Sequence, residues 1–190
     1  MSQTALLLID IQNDYFSDGR YPLQRMEAAS AQSAKLLAAF REQGLTVIHV
    51  RHEFTTDDAP FFSPNSKGAN IHASVIPLTE EPVVLKHHIN CFRETPLKSL
   101  LDQAGVKNLV IVGAMSHMCI DAAARAANDF GYGCSIAHDA CATLDLTFNG
   151  ITTSATDVHT ASMAALSFAY ASVLSTDELL QKLEAQLALV

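Results

Sequence analysis

The sequence predicts a doubly wound α/β domain, a Rossmann-like three-layer sandwich around a six-stranded parallel sheet. Three observations carry this. Short, unbroken apolar runs alternate with longer stretches of helical period, the pattern of strands buried on both faces and covered by helices. Glycines stand where helical stripes end. Reactive side-chain types cluster just after the strands, where open α/β sheets bind ligands.

Each element can be justified in order. Ala5–Ile9 reads as a strand that stops at Asp10. A helix is expected over Met26–Gln43: Met26, Ala29, Ser33, Leu36, Leu37 and Phe40 share one stripe, and Gly44 stops it. Thr46–Val50 and Pro82–Leu85 read as the next two strands, the latter ending at Lys86. Thr95 suits an N-cap and Pro96 the first helical position, with Leu97, Leu100 and Leu101 inward and Gly105 as the stop. Leu109–Val112 is a strand, followed by a helix from near Met118 to Phe130. Cys134–Ala137, a helix over Ala155–Phe168, and Ala171–Leu174 complete the alternation. Ser175 and Glu178 form a capping box for a last helix with Leu179, Leu180, Leu183 and Leu187 inward. Two stretches, Glu53–Glu81 and Leu144–Ser154, read as long irregular loops, either lids or oligomer contacts.

The length of 190 residues suits one domain over residues 1–190, and a hydrophobic fraction of 49% supplies its core. The net charge of −8, with few and scattered Lys and Arg, argues against nucleic acid as partner. No apolar run reaches membrane-spanning length, and the start lacks the features of a signal peptide, so a cytoplasmic protein without a membrane partner is expected. The four cysteines, at 91, 119, 134 and 141, fit no paired zinc pattern. In a reducing compartment each is a buried small residue or a reactive thiol.

Asp10, Lys86 and Cys119 arrive at the same sheet edge from three different strands. A thiolate is the reactive form of cysteine, and a helix start and an ammonium both favour it. Asp10 is placed to accept the thiol proton, and Lys86 to hold both groups. The backbone N–H groups of Met115 and Cys119 are the expected oxyanion hole. Taken singly, each residue also has a plain reading: a turn aspartate, a surface lysine, a buried cysteine.

The segment LLLIDIQNDY from Leu6 to Tyr15 resembles the opening D-x-Q-N-D-F motif of the isochorismatase-like hydrolases. VLKHHINCFRETPL from Val84 to Leu97 resembles their K-x-x-x-x-x-F-x-x-T-x-L block. Gly113–Asp121 with the following helix resembles their nucleophile elbow, and Asp139–Ala142 their next strand end. The resemblance runs in order from about residue 5 to 175. It implies a Cys119/Asp10/Lys86 triad and a cis peptide at Ala114–Met115. Residues 145–166 look similar to a streptothricin-hydrolase-like subgroup. Nicotinamidases of the superfamily carry a metal-binding D-x-H after strand two; here residues 49–53 read HVRHE, without the aspartate, so no metal and no cofactor are expected. A retained cysteine points to attack on the carbonyl of an amide or urea-like C–N bond in a small molecule. An isochorismatase-type vinyl ether hydrolase, a non-catalytic binding protein of the same fold and a redox-responsive thiol protein are the alternatives. By family analogy a homo-oligomer, dimer or tetramer, is expected.

Tyr15, Gln12, His117 and Ala114 are the expected substrate-contacting residues, although Gln12 also suits a loop-fixing role. One of Arg51, His52 and Glu53 is a further candidate for substrate contact, the other reading being an exposed polar rim. Phe61 and Phe62 are candidate lid aromatics, or the seal of a subunit contact. His87 and His88, adjacent in a strand, point to opposite faces and do not suit one ion.

Overall fold

The computed structural model describes residues 3–187. Its centre is a six-stranded parallel sheet built from β1 (Thr4–Ile9), β2 (Thr46–His52), β3 (Val83–Lys86), β4 (Asn108–Ala114), β5 (Gly133–Ala142) and the later β8 (Ser172–Leu174), in the order β3-β2-β1-β4-β5-β8. The helices are α1 (Met26–Glu42), α2 (Leu97–Gln103), α3 (Asp121–Asp129), α4 (Ala155–Ala169) and α5 (Thr176–Leu187).

The period of two in β1 explains the three layers. Ala5, Leu7 and Ile9 pack on one face with Leu97 and Leu101 of α2, Ala123 and Ala127 of α3, and Met163 and Leu166 of α4. Leu6 and Leu8 pack on the other with Met26, Leu36, Leu37 and Phe40 of α1 and Leu179 and Leu183 of α5. The α1 stripe read from the sequence is the buried one. The inward position expected for Leu187 lies outside the described side chains.

Three sequence expectations need correction. Leu144–Ser154 is not wholly irregular: β6 (Leu146–Phe148) and β7 (Ile151–Thr153) pair as an antiparallel hairpin. Its Asn149-Gly150 turn, with φ of 51° and 77°, is the dipeptide suited to such a turn. Strand β3 is not buried on both faces: it is the sheet edge, with Val83 and Leu85 outward and Val84 and Lys86 inward. Helix α2 begins at Leu97, after Pro96, and Thr95 accepts the Leu97 amide at 3.3 Å from one position further out.

The strand order reverses between β1 and β4, so the chain leaves these neighbours in opposite directions and opens a crevice at their carboxyl ends. Gly113 allows the close approach there. Its φ is 122°, and a Cβ would lie 1.9 Å from the carbonyl oxygen of Ile9. No side chain other than hydrogen fits.

Candidate active site

Asp10 follows β1 with φ of 54°, a left-handed conformation that aspartate tolerates better than most residues. Its amide donates to Val50 of β2 at 3.0 Å, which fixes the turn. Lys86 is the last residue of β3, paired in register with His52 on β2. Cys119 lies in a wide π-turn, Ser116–Ile120, that feeds α3. The amides of Met118 and Ile120 both donate to the Met115 carbonyl, at 3.0 and 3.2 Å, and the Cys119 amide lies between them in sequence. The Ala114–Met115 peptide is cis.

The structure brings these three residues together. Lys86 Nζ is 2.8 Å from Asp10 Oδ2 and 3.3 Å from Cys119 Sγ. All three side chains are buried. The Cys119 thiol lies close enough to the Asp10 carboxylate for each to shift the other's titration. Beyond the ion pair with Lys86, the Asp10 oxygens have no hydrogen-bond partner among the described residues.

The electrostatics differ from the sequence expectation for Cys119. Burial, and then the negative Asp10, push the thiol above its ordinary value; Lys86 opposes them without winning. Burial also raises Asp10, against the pull of Lys86, which makes the carboxylate a better proton acceptor. Burial disfavours charge on Lys86, but Asp10 and Cys119 outweigh it and hold the ammonium. These directions favour a protonated thiol and a charged ammonium at 2.8 Å from Asp10.

Tyr15 stands beside this centre in a short turn, Asn13–Tyr15. Burial, then the nearby Asp10 and Cys119, hold its phenol neutral. Its ring packs 4.5 Å from Phe62 and 5.7 Å from Phe61, so both loop aromatics join a wall within this chain. Asp14 ties that loop down. It accepts from Phe62 N at 2.6 Å and Arg20 N at 3.3 Å, and its own amide donates to Gly68 at 3.0 Å. Ala114 is buried at the end of β4, and His117 is half-buried with Nδ1 2.7 Å from Thr143 Oγ1.

Gln12 departs from the substrate-contacting role. Its amide nitrogen donates to the carbonyls of His52 and Ala69, both at 2.8 Å, and its oxygen accepts from His52 N at 2.7 Å. That amide is spent on backbone and clamps the end of β2 to the loop. Of the three candidates at that strand end, Arg51 and Glu53 pair with each other at 2.7 Å. His52 reaches the centre through Lys86: its Nδ1 lies 3.1 Å from Nζ. Sequence reading placed His52 at the right edge, but not its partner, because register between β2 and β3 is a long-range property. Among the described residues no three His, Cys, Asp or Glu side chains converge as a metal-ligand set, and no helix is long and apolar enough to cross a membrane.

With this geometry established, comparison with known proteins places the chain. The isochorismatase domain model matches residues 4–178. The chain belongs to the isochorismatase family. A crystal structure of an isochorismatase hydrolase homologue from Oleispira antarctica superposes with a TM-score of 0.91 at 66% identity, covering 94% of this chain and 96% of that one. The isochorismatase family protein YddQ of Bacillus subtilis is 48% identical over 94% of this chain and 99% of its own length. Streptothricin hydrolase of Streptomyces noursei is 35% identical over 75% of this chain and 50% of its own length. The family includes amidohydrolases: the ureidoacrylate amidohydrolase RutB of Rhizobium rhizogenes is 27% identical over 69% of this chain and 67% of its own length. The chain is thus an isochorismatase-like hydrolase by family.

Proposed function

We propose that this hydrolase cleaves an amide or urea-like C–N bond of a small molecule through a thioester on Cys119. The observation that carries the reading is the buried Asp10–Lys86–Cys119 cluster, with Lys86 at 2.8 Å from Asp10 and 3.3 Å from Cys119. The proton of the thiol passes to Asp10 as Sγ attacks the carbonyl carbon. The carbonyl oxygen, now negative, is received by the Met115 and Cys119 amides. Lys86 balances the charge on sulfur and carboxylate in turn. Collapse breaks the C–N bond, and Asp10 returns its proton to the leaving nitrogen. Water then gives a proton to Asp10 and adds its oxygen to the thioester; the acid departs and the thiol is restored. Tyr15, Ala114 and His117 stand around this centre as the substrate-contacting groups, with Phe61 and Phe62 behind Tyr15.

A panel of small primary amides and ureido acids tests this reading, with ammonia release and intact-protein mass as readouts. Turnover together with a mass increase by the acyl group, both lost in Cys119→Ala, is expected. Turnover that survives in Cys119→Ala sinks the cysteine mechanism. Ligand binding without turnover by the native chain favours a non-catalytic binding protein.

The same reading includes a homo-oligomer. Phe168 on α4 and Phe148 and Ile151 on the β6–β7 hairpin are 91%, 79% and 72% exposed, apolar side chains that a second copy of the chain would cover. A hydrodynamic mass near the 20.5 kDa of one chain would refute it.

A further inference from the structure

The cluster contains a fourth side chain that the hydrolytic scheme leaves without a role. An ammonium has three N–H donors and no acceptor. Lys86 Nζ faces three acceptor atoms: Asp10 Oδ2 in an ion pair at 2.8 Å, His52 Nδ1 at 3.1 Å and Cys119 Sγ at 3.3 Å. We infer that His52 is a positioning residue, whose Nδ1 takes the third proton of Lys86 and so aims the other two at Asp10 and Cys119. The inference rests on the reading of Lys86 and Asp10 as partners of the nucleophile.

The donor count fixes the chemistry of the imidazole. Lys86 has nothing but protons to offer, so Nδ1 must present a lone pair, and the ring proton must sit on Nε2. Burial, and then the Lys86 cation with His87 and His88 nearby, hold His52 down to about 3, so the ring stays neutral wherever the site works. The Nε2 atom is buried without a hydrogen-bond partner among the described residues.

The ring is also held from all sides. Gln12 clamps the His52 amide and carbonyl. Phe54 meets the ring edge-on at 4.8 Å, and Phe62 lies 6.2 Å away. The strand pairing of His52 with Lys86 sets both side chains on one face of the sheet. Lysine is a long, flexible point charge. Two acceptors would leave its ammonium free to swivel about them; a third fixes it. The orienter of this site is thus a neutral histidine acting on the lysine, and not on the nucleophile.

Two measurements on the full chain test this. The first is the side-chain nitrogen NMR spectrum of the histidines, with His52→Asn used to assign the signal. A neutral ring with hydrogen on Nε2 from about pH 8 down to about pH 5 is expected, where an unperturbed histidine would have become charged. Hydrogen on Nδ1, or a cationic ring at the lower end, overturns the inference. The second is the rate of Cys119 alkylation by iodoacetamide against pH, read by peptide mass, in the wild type, His52→Phe and His52→Asn. Phenylalanine keeps a ring without an acceptor; asparagine sets an oxygen near the place of Nδ1. The phenylalanine variant is expected to react roughly tenfold more slowly on the rising limb, the size of one hydrogen bond to a charged group, with its profile moved to higher pH. Asparagine is expected to restore most of the rate. Equal profiles for the wild type and a folded His52→Phe overturn the inference. Should the wild type leave Cys119 unlabelled, the nucleophile reading fails, while the tautomer of His52 still decides whether Lys86 is held as described.

Discussion

Strands β2 and β3 carry a buried carboxylate cluster at each end, and the two are built to opposite specifications. At the entry to β3, Glu81 accepts from Arg41 Nε and Nη2, both at 2.7 Å, from His49 Nε2 at 3.0 Å and from Leu78 N at 2.8 Å. At the exit, Asp10 meets Lys86 at 2.8 Å and has no further hydrogen-bond partner among the described residues. Burial disfavours the charge in both places. Arg41, the Leu78 amide and His49 reverse that effect and pull Glu81 down to about 2. Lys86 does not reverse it for Asp10, which stays above the usual aspartate value. A saturated carboxylate fastens the loop ahead of β3 to α1 and β2. An under-served one retains the basicity to take a proton from a neighbour.

That contrast can be broken experimentally, starting where the effect is largest. Cys119→Ala is expected to lower turnover about a thousandfold or more while leaving stability nearly intact, since it removes one sulfur from a filled site. Parallel kinetics and thermal melts check this. Lys86→Met is expected to cost about 3–5 kcal/mol in urea unfolding, because it strands the buried Asp10 charge. Adding Asp10→Asn should recover most of that loss without recovering activity; failure to recover would mean that Asp10 is not charged in the fold.

Glu81→Gln addresses the other end. A loss of about 2 kcal/mol is expected, the size of hydrogen bonds to a charged group, with hydrolysis unchanged. The sign of its pH dependence follows from the lowered folded value. The Glu81 contribution is complete above the unfolded glutamate value of ~4.3 and fades as pH falls toward about 2. Asp10 runs the other way: its folded value is raised, so acidification through that value favours the native state. Acid melts should therefore be steeper in the native chain than in Glu81→Gln. Smallest of all, Ser154→Ala removes the cap that accepts from Asp157 N at 3.2 Å, and should cost about 1 kcal/mol with no change at the active site.

The same two clusters show how far the sequence speaks. The places of Asp10 and Lys86 were legible because strand ends are legible, and that of Cys119 because a helix start follows β4. The α1 stripe was legible for the same kind of reason, since a periodicity is local. The role of His52 was not, because it depends on β2 and β3 standing in one register. The Glu81 cluster was hidden too: it joins α1, β2 and a loop that has no period. The direction of the Cys119 shift went unseen because burial depth is set by the whole fold, whereas a helix start and a lysine are visible in the string. The β6–β7 hairpin was there to be read in Asn149-Gly150, but its strands of three residues are too short to show alternation.

The anchoring of the loop by Asp14 has a consequence for how this scaffold can diversify. The reactive groups are carried by strand ends and by the turn after β4, whereas the aromatic wall beside Tyr15 arrives on residues 53–81, held by a carboxylate and a few backbone contacts. Loop closure becomes only slowly more costly with length, by about 0.6 kcal/mol per doubling. Insertions among the exposed residues 55–58 thus reshape the loop at little cost to the scaffold, provided that Phe54 and Phe62 keep their places beside His52. A lineage can therefore vary the exposed stretch of this loop while the residues that hold Asp10, Lys86 and Cys119 stay in place.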